Sequence, residues 1–159
     1  MLKFILASKS KVRKNILNNN NIQCSVEPAN IDEDSIKNSL TKEGAFPEII
    51  SKNLAELKAN KISQKKNEEI VIGADSVIDL NGEIISKPSS REEAMEILKK
   101  LNGKKHHLIS SVCISKNGSM IWNYTDKAEL TMKQMNDDEL KSYLSKLKMK
   151  IYMHTMFIK

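Results

Sequence analysis

The chain has 159 residues and a formal net charge of +6, and this length suits one compact domain with a hydrophobic core over residues 1–159. With 40% hydrophobic and 29% charged residues, the composition excludes a disordered tail and a membrane protein. The two cysteines, Cys24 and Cys113, are far apart and belong to no CxxC pair. This excludes a disulfide framework and a zinc ribbon and predicts a reducing, cytoplasmic setting.

The first half of the chain predicts alternating strands and helices. Residues 3–7 and 22–26 have the short apolar runs of buried strands, and Ser8 is the expected N-cap of the helix between them. Residues 27–42 are polar and predict a loop or an irregular segment. A helix is expected after Pro47. Its broad apolar face consists of Ile50, Leu54, Ala55, Leu57, Ala59 and Ile62.

The second half predicts a sheet with hairpins and two more helices. Residues 69–80 are a nearly continuous β-branched run, as expected for a central strand that is covered on both faces. Asn81-Gly82 predicts a hairpin turn before a return strand over 83–85. The other expected elements are a helix capped by Ser90 and Glu93 and closed by Asn102-Gly103, strands over 106–115 and 119–132, and a last helix from about Asp137 to Leu147. We therefore predict an α/β fold with a mixed β-sheet flanked by helices.

The segment that leads from the first strand into the first helix has the character of an anion site. It reads Leu6-Ala7-Ser8-Lys9-Ser10-Lys11-Val12-Arg13. Free amides and the positive end of the helix dipole attract anions at such a turn. Ser8 and Ser10 can donate to phosphate oxygens, and Arg13 can bind one in a bidentate manner. The alternative, in which Ser8 only caps the helix and the cations are solvated, stays open because no glycine-rich phosphate loop is present.

Asp75 interrupts the most hydrophobic predicted strand. An isolated carboxylate there would cost several kcal/mol, so Asp75 must be paired, protonated or bound to a metal. Gly73 and Ala74 leave room for a ligand beside it. Two interpretations stay open, a metal ligand or general base on the one hand and a structural aspartate bonded to nearby amides on the other.

Two lysines are predicted to be buried, Lys58 on the apolar face of its helix and Lys87 just before Pro88. A structural interpretation accounts for either lysine: its stem is covered while its amine reaches water. Together with Arg13, they also fit a site for a polyanion.

Several short motifs occur in register along the chain. They are Leu6-Ala7-Ser8-x-Ser10-x-x-Arg13, Ile72-Gly73-Ala74-Asp75-Ser76, Gly82-Glu83, Lys87-Pro88 and Leu101-x-Gly103-x-x-His106. Asp32-Glu33 and the Leu54-Ala55-x-x-Lys58-Ala59 helix are further matches. In order and spacing this pattern resembles the Maf-like nucleoside triphosphate pyrophosphatases over roughly residues 4–147.

The resemblance implies a mixed α/β fold related to the inosine triphosphate pyrophosphatases. It also implies hydrolysis of a nucleoside triphosphate to the monophosphate and pyrophosphate with a divalent metal cation, Mg²⁺ or Mn²⁺. By position, Asp75 matches the catalytic aspartate that accepts a proton, and Glu33 matches an acid near the metal, so both are the implied metal ligands. The positions that match the phosphate end of the cleft are Ser8, Ser10, Arg13, Lys58 and Lys87. Ser76 keeps the hydroxyl of the threonine that usually follows the aspartate, and we include it among the substrate-binding residues.

Two departures from the family pattern matter. Lys11-Val12 replaces the usual Pro-Arg pair, so the arginine linked to pyrimidine selectivity in one subgroup is missing. The family continues with a C-terminal strand and helix, whereas the tail over 147–159 matches neither. We therefore expect a C-terminally shortened or frameshifted member, less stable than a full-length relative, prone to self-association and reduced in activity.

Three functions stay open at this point. The leading one is an active pyrophosphatase, and the others are an inactive nucleotide-binding remnant and a basic nucleic-acid-binding module. Aromatic residues make up only 4% of the chain, which disfavours a surface for stacking single-stranded bases. We expect a nucleoside triphosphate as the partner, neither a membrane nor a nucleic acid, and we leave a homodimer as an open expectation.

Overall fold

The computed structural model describes residues 3–147. The predicted non-matching tail lies almost entirely outside these residues, so its expected effects on stability and activity stay predictions. No helix in the described part of the chain is long and apolar enough to cross a lipid bilayer.

Strands and helices follow one another in the order that the sequence predicts, with one additional helix. The strands are β1 (Phe4–Leu6), β2 (Cys24–Val26), β3 (Ile70–Leu80), β4 (Glu83–Ile85), β5 (Lys105–Lys116) and β6 (Ser119–Thr131). The helices are α1 (Lys11–Asn19), α2 (Glu33–Lys42), α3 (Pro47–Ser63), α4 (Arg91–Leu101) and α5 (Asp137–Lys146).

The strands form one mixed sheet in the order β2-β1-β3-β5-β6, and β4 pairs with β3. β1 runs parallel to both of its neighbours, so that Phe4 lies opposite Cys24 on one side and Ile70 on the other. β4 runs antiparallel to β3, with Ile85 opposite Ile78. The predicted mixed sheet is therefore confirmed.

The described residues fall into two compact units. The first unit contains residues 3–76 together with Ser110–Asp126, and the second contains Val77–Ile109 together with residues 127–147. The core of the first unit consists of Ile5, Ala7, Ala55, Ala59, Ile62, Val71 and Cys113. In the second unit, one apolar cluster of described residues consists of Ala94, Leu98, Leu140 and Leu144, and another consists of Ile78, Leu80, Ile85 and Leu101.

In the first unit, α3 packs unusually close to β3 because the strand has a glycine at the contact. A Cβ atom on Gly73 would collide with the carbonyl oxygen of Ala55 and would lie 2.8 Å from the backbone nitrogen of Ala59. Only glycine permits two backbones to approach in this way. This contact places the side chains of the following α3 turn against the middle of β3.

Three predictions about local structure are wrong. Residues 33–42 form a helix, α2, where a loop was expected, and Asp32 caps it by accepting from the Ser35 amide at 3.1 Å. Ser10, not Ser8, is the N-cap of α1 and accepts from the Arg13 amide at 3.2 Å. Leu57 is 43% exposed, so the apolar face of α3 is narrower than predicted.

Candidate active site

Three charged side chains from α2, α3 and β3 meet in the first unit. The Lys58 ammonium lies 2.8 Å from Glu33 Oε1 and 3.0 Å from Asp75 Oδ1. Lys58 and Asp75 are both buried, whereas the side chain of Glu33 is one-third exposed. One buried cation therefore holds two carboxylates close together, with Glu33 on the side toward water.

Backbone packing between α3 and β3 sets this geometry. Gly73 and Asp75 lie on the same face of β3 because strand side chains alternate with a period of two. The close approach at Gly73 brings α3 over this face and so sets Lys58 above Asp75. The Ser51 hydroxyl donates to the Asp75 carbonyl oxygen at 3.1 Å, which ties the first turns of α3 to the strand at the same residue.

Burial dominates the acidity of Asp75. It raises the pKa of the Asp75 carboxyl because the charged form loses water, and the positive charges of Lys58 and Lys37 oppose this shift. Oδ1 accepts from Lys58, but Oδ2 has no hydrogen-bond partner among residues 3–147 although it is buried. The site therefore presents one unsatisfied acceptor on a carboxylate of increased basicity, which is what a general base or a metal ligand requires.

Arg13 and the two predicted serines stand at the start of α1. The Arg13 guanidinium donates from Nη1 to Ser8 Oγ at 3.2 Å, and Ser8 Oγ also accepts from the Ser10 amide at 3.2 Å. Burial lowers the pKa of Arg13, whereas the negative charges of Asp75 and Glu33 raise it, which places the guanidinium in the field of both carboxylates. The structure thus brings six of the predicted residues together in the first unit.

Ser76 and Lys87 are the two remaining predicted substrate-binding residues. The Ser76 hydroxyl is hydrogen-bonded to the Ser110 hydroxyl at 2.9 Å, and it lies on the opposite face of β3 from Asp75 because neighbouring strand residues alternate. Lys87 belongs to the second unit, between β4 and α4, and it is exposed, so the prediction that it is buried is wrong. Their roles in substrate binding stay predictions.

Sequence reasoning missed two residues of the site, Lys37 and Ser51. Lys37 is buried on α2, four residues after Glu33, and its charge acts on Asp75. The spacing of four would have placed both side chains on one helix face had α2 been predicted. Ser51 is fully buried, and no pattern in the sequence distinguishes it from other polar residues of α3.

The carboxylates fit the divalent cation that the family resemblance implies. Mg²⁺ prefers oxygen ligands and is usually bound by one or two carboxylates together with water and substrate phosphates. Asp75 and Glu33 supply that number, and Asp75 Oδ2 is an unsatisfied oxygen. Within residues 3–147 no group of three or more His, Cys, Asp or Glu residues could hold a metal ion.

Comparisons with known proteins agree with this arrangement. The family model described as Maf-like protein matches residues 3–152. A nucleoside triphosphate pyrophosphatase of Pelagibacter ubique is 73% identical over 143 residues, which cover 90% of this chain and 73% of that protein. A 7-methyl-GTP pyrophosphatase of Brucella abortus is 36% identical over 146 residues, covering 92% of this chain and 73% of that protein.

The chain belongs to the Maf-like protein family. A solved structure of a nucleoside-triphosphatase (dITP/XTP pyrophosphatase) from Mycobacterium abscessus has a TM-score of 0.51 and 11% sequence identity, and the match covers 84% of this chain and 76% of that one. This likeness concerns the fold alone. The family and the mixed α/β architecture predicted from the sequence are both confirmed, and the prediction of a nucleotide pyrophosphatase agrees with the names of the relatives.

Proposed function

We propose that this chain is a nucleoside triphosphate pyrophosphatase that hydrolyses (d)NTP to (d)NMP and pyrophosphate, with Asp75 as the general base. The observation that carries the proposal is the buried Asp75 carboxylate, which has one unpartnered oxygen among the described residues, contacts the Lys58 ammonium and acts on the charge of Arg13. A structural aspartate would use its second oxygen for a backbone amide or another donor.

Each residue has a role that follows from its chemistry. Water attacks the α-phosphorus, a new oxygen–phosphorus bond forms, and the bond to the bridging oxygen of the pyrophosphate breaks. Asp75 Oδ2 accepts the proton of the attacking water, and its raised pKa makes it a stronger base than an exposed aspartate. Arg13 and Lys58 stabilise the negative charge that grows on the departing pyrophosphate.

Asp75 and Glu33 are the residues that would hold a divalent cation. Such an ion supplies Lewis-acid polarisation of a phosphate oxygen when bound. Ser8 and Ser10 complete the anion site at the start of α1, where the free amides of the first helical turn also face an anion.

The test is release of pyrophosphate from a panel of nucleotides by the purified chain, with Mg²⁺, with Mn²⁺ and with a chelator. The panel includes 7-methyl-GTP, because a relative is named for this substrate, and the noncanonical nucleotides dITP and XTP. Because the arginine of the pyrimidine-selective subgroup is absent at Lys11-Val12, we do not expect a preference for pyrimidines. Metal-dependent release of pyrophosphate is expected. Binding of nucleotides without release would identify an inactive remnant, and salt-dependent affinity for DNA or RNA that survives loss of Asp75 would favour a nucleic-acid-binding module.

We also propose a cytoplasmic setting and retain the homodimer as a prediction. Cys24 and Cys113 are both free thiols, which suits a reducing compartment. Sedimentation equilibrium of the full chain tests the homodimer, and fluorescence microscopy of a tagged chain tests its location.

A further inference from the structure

Lys37 is a buried cation in the active-site region that the proposed mechanism does not use. It lies on α2, four residues after the site acid Glu33, and is 8% exposed. The stem of Lys37 is covered, but its amine is not among the buried, unpartnered polar atoms of the described residues, so it reaches water. Among residues 3–147, the Lys37 ammonium makes no hydrogen bond or ion pair at ordinary contact distance, and the carboxylate on which its charge acts is Asp75.

The charges of the site leave Lys37 without a carboxylate of its own. Glu33 and Asp75 share the ammonium of Lys58 in direct contacts, and the guanidinium of Arg13 lies in the field of both acids. Together with Lys37, the site has three positive groups and two negative groups. This excess of positive charge, at a cluster that Glu33 and Lys37 open to water, attracts an anion.

We propose that Lys37 is an additional substrate-binding cation whose ammonium contacts a phosphate group of the triphosphate. The inference rests on the proposed function for the identity of the anion, but the binding of a polyphosphate by Lys37 does not require turnover. This role would explain why α2 carries both Glu33 and Lys37 on one face. The carboxylate of Glu33 suits a metal ion, and the ammonium of Lys37 suits a phosphate.

The competing explanation is that the Lys37 stem covers apolar surface and its amine contacts water alone. In that case the charge is dispensable and the methylenes are not. Lys37→Met retains the apolar stem and removes the charge, whereas Lys37→Arg retains the charge. Lys42→Met is the matched control, because Lys42 is exposed at the other end of the same helix and its loss changes the net charge equally.

The experiment is calorimetric titration of the full chain with inorganic tripolyphosphate. We expect Lys37→Met to weaken binding about tenfold or more, the effect of losing one hydrogen bond to a charged group. Lys37→Arg should stay within about threefold of the unchanged chain, and Lys42→Met within about twofold. Equal affinity of Lys37→Met and the unchanged chain would overturn the proposal. Lys37→Gln serves as the second uncharged variant if Lys37→Met does not fold.

Steady-state kinetics separate this proposal from the proposed function. Loss of a contact that is made equally in the ground state and the transition state raises KM and leaves kcat within about threefold. Tight tripolyphosphate binding that depends on Lys37, in a chain that releases no pyrophosphate, would support Lys37 and contradict the pyrophosphatase. Normal turnover with an unchanged KM in Lys37→Met would support the pyrophosphatase and contradict the proposed role of Lys37.

Discussion

The two units of this chain bury different kinds of residue. All nine polar or charged residues that are buried in the described part of the chain belong to the first unit. They are Ser8, Ser10, Lys37, Ser51, Lys58, Ser63, Asp75, Ser111 and Ser115. The buried residues of the second unit that the structure describes are all apolar. Buried polar groups cost stability unless each finds a partner, and they are retained where function needs them.

The partners of these groups show which of them are structural. Ser115 donates to Asn60 Oδ1 at 2.6 Å, and Ser63 accepts from the Gly118 amide at 2.9 Å, so both are satisfied and tie α3 to β5 and its turn. Asp75 is different because one of its oxygens is unsatisfied within residues 3–147. The comparison therefore predicts that mutations of buried residues in the first unit affect activity and stability together, whereas mutations of buried residues in the second affect stability alone.

The largest expected effect follows from Gly73→Ala. The added methyl collides with the backbone of α3 at Ala55 and Ala59, neither of which can rotate away, so we expect a loss of about 3 kcal/mol or more in the free energy of unfolding. Activity should fall with it, because α3 carries Lys58. Gly82→Ala in the second unit is the control: no atom lies within 4 Å of the new methyl, and the φ of +91° costs about 1 kcal/mol. Urea unfolding of both variants measures the difference, and equal losses would contradict the close packing at Gly73.

Leu140→Ala tests the difference between the two units with a mutation in the second. Leu140 is 1% exposed in the second unit, and its truncation leaves a cavity that should cost about 2–5 kcal/mol. The kcat/KM of the folded protein should stay within about twofold, since no residue of the Asp75 cluster belongs to this unit. Leu54→Ala, at a fully buried position of α3, should cost as much stability and lower kcat/KM as well. If Leu140→Ala reduced kcat/KM as strongly as Leu54→Ala, the division between the units would be wrong.

Asp75→Asn should abolish most of the turnover without unfolding the chain. The amide has the same shape but cannot accept a proton from water, so we expect kcat to fall at least about 100-fold, equivalent to about 2.7 kcal/mol. Asp79→Asn is the matched control on the same strand: Asp79 belongs to the second unit and accepts from the Gly82 amide, which an asparagine oxygen can replace. Pyrophosphate release and circular dichroism are measured for both. A folded Asp75→Asn chain with normal turnover would remove Asp75 from the catalytic role.

The sequence predicted the parts of the fold that depend on hydrophobic patterning. The β-branched run of β3 and the positive-φ turn at Asn81-Gly82 indicated their elements nearly to the residue. The carboxylate within that run was enough to single out Asp75, because a charge in an apolar strand needs a special reason. Lys58 was found in the same way, as a charge on an apolar helix face.

The parts that could not be predicted lack such a pattern. Helix α2 has only Lys37 among its buried residues, so its signal lies in the Asp32 cap and the acidic first turn and not in an apolar stripe. Because α2 was not predicted, the sequence did not show that Glu33 and Lys37 share one helix face. Because side chains alternate along a strand, Ser76 was to be expected on the opposite face of β3 from Asp75. It was placed among the substrate-binding residues because it follows Asp75 in the family motif.

Arg13→Ala should weaken substrate binding. The fold-change in KM should be smaller than the fold-change in kcat that the loss of Asp75 causes. The guanidinium lies at the start of α1 beside Ser8 and in the field of both carboxylates, so its loss removes one charge-assisted contact to phosphate. We expect KM to rise about tenfold and inhibition by pyrophosphate to weaken equally. Lys14→Ala, an exposed neighbour on α1, is the control and should leave both unchanged. Identical nucleotide affinity of Arg13→Ala and the unchanged chain would reduce Arg13 to a surface charge.

The buried carboxyl of Asp75 should make the stability of the chain depend on pH, whereas buried apolar residues have no such effect. Because burial raises the pKa of Asp75 in the folded chain, the folded state binds a proton more tightly than the unfolded state. The stability of the unchanged chain therefore decreases as pH rises from the ordinary aspartate pKa to the folded pKa, and the loss is complete above it. Asn at position 75 has no such proton, so the Tm of Asp75→Asn relative to the unchanged chain should increase across this window and then level off. Thermal unfolding from roughly pH 4 to pH 8 measures the difference. The Tm deficit of Leu140→Ala should stay constant over the same range, because the atoms it removes do not titrate. A Tm advantage of Asp75→Asn that shrinks with rising pH would mean that Lys58 and Lys37 outweigh the cost of burying the charged carboxylate.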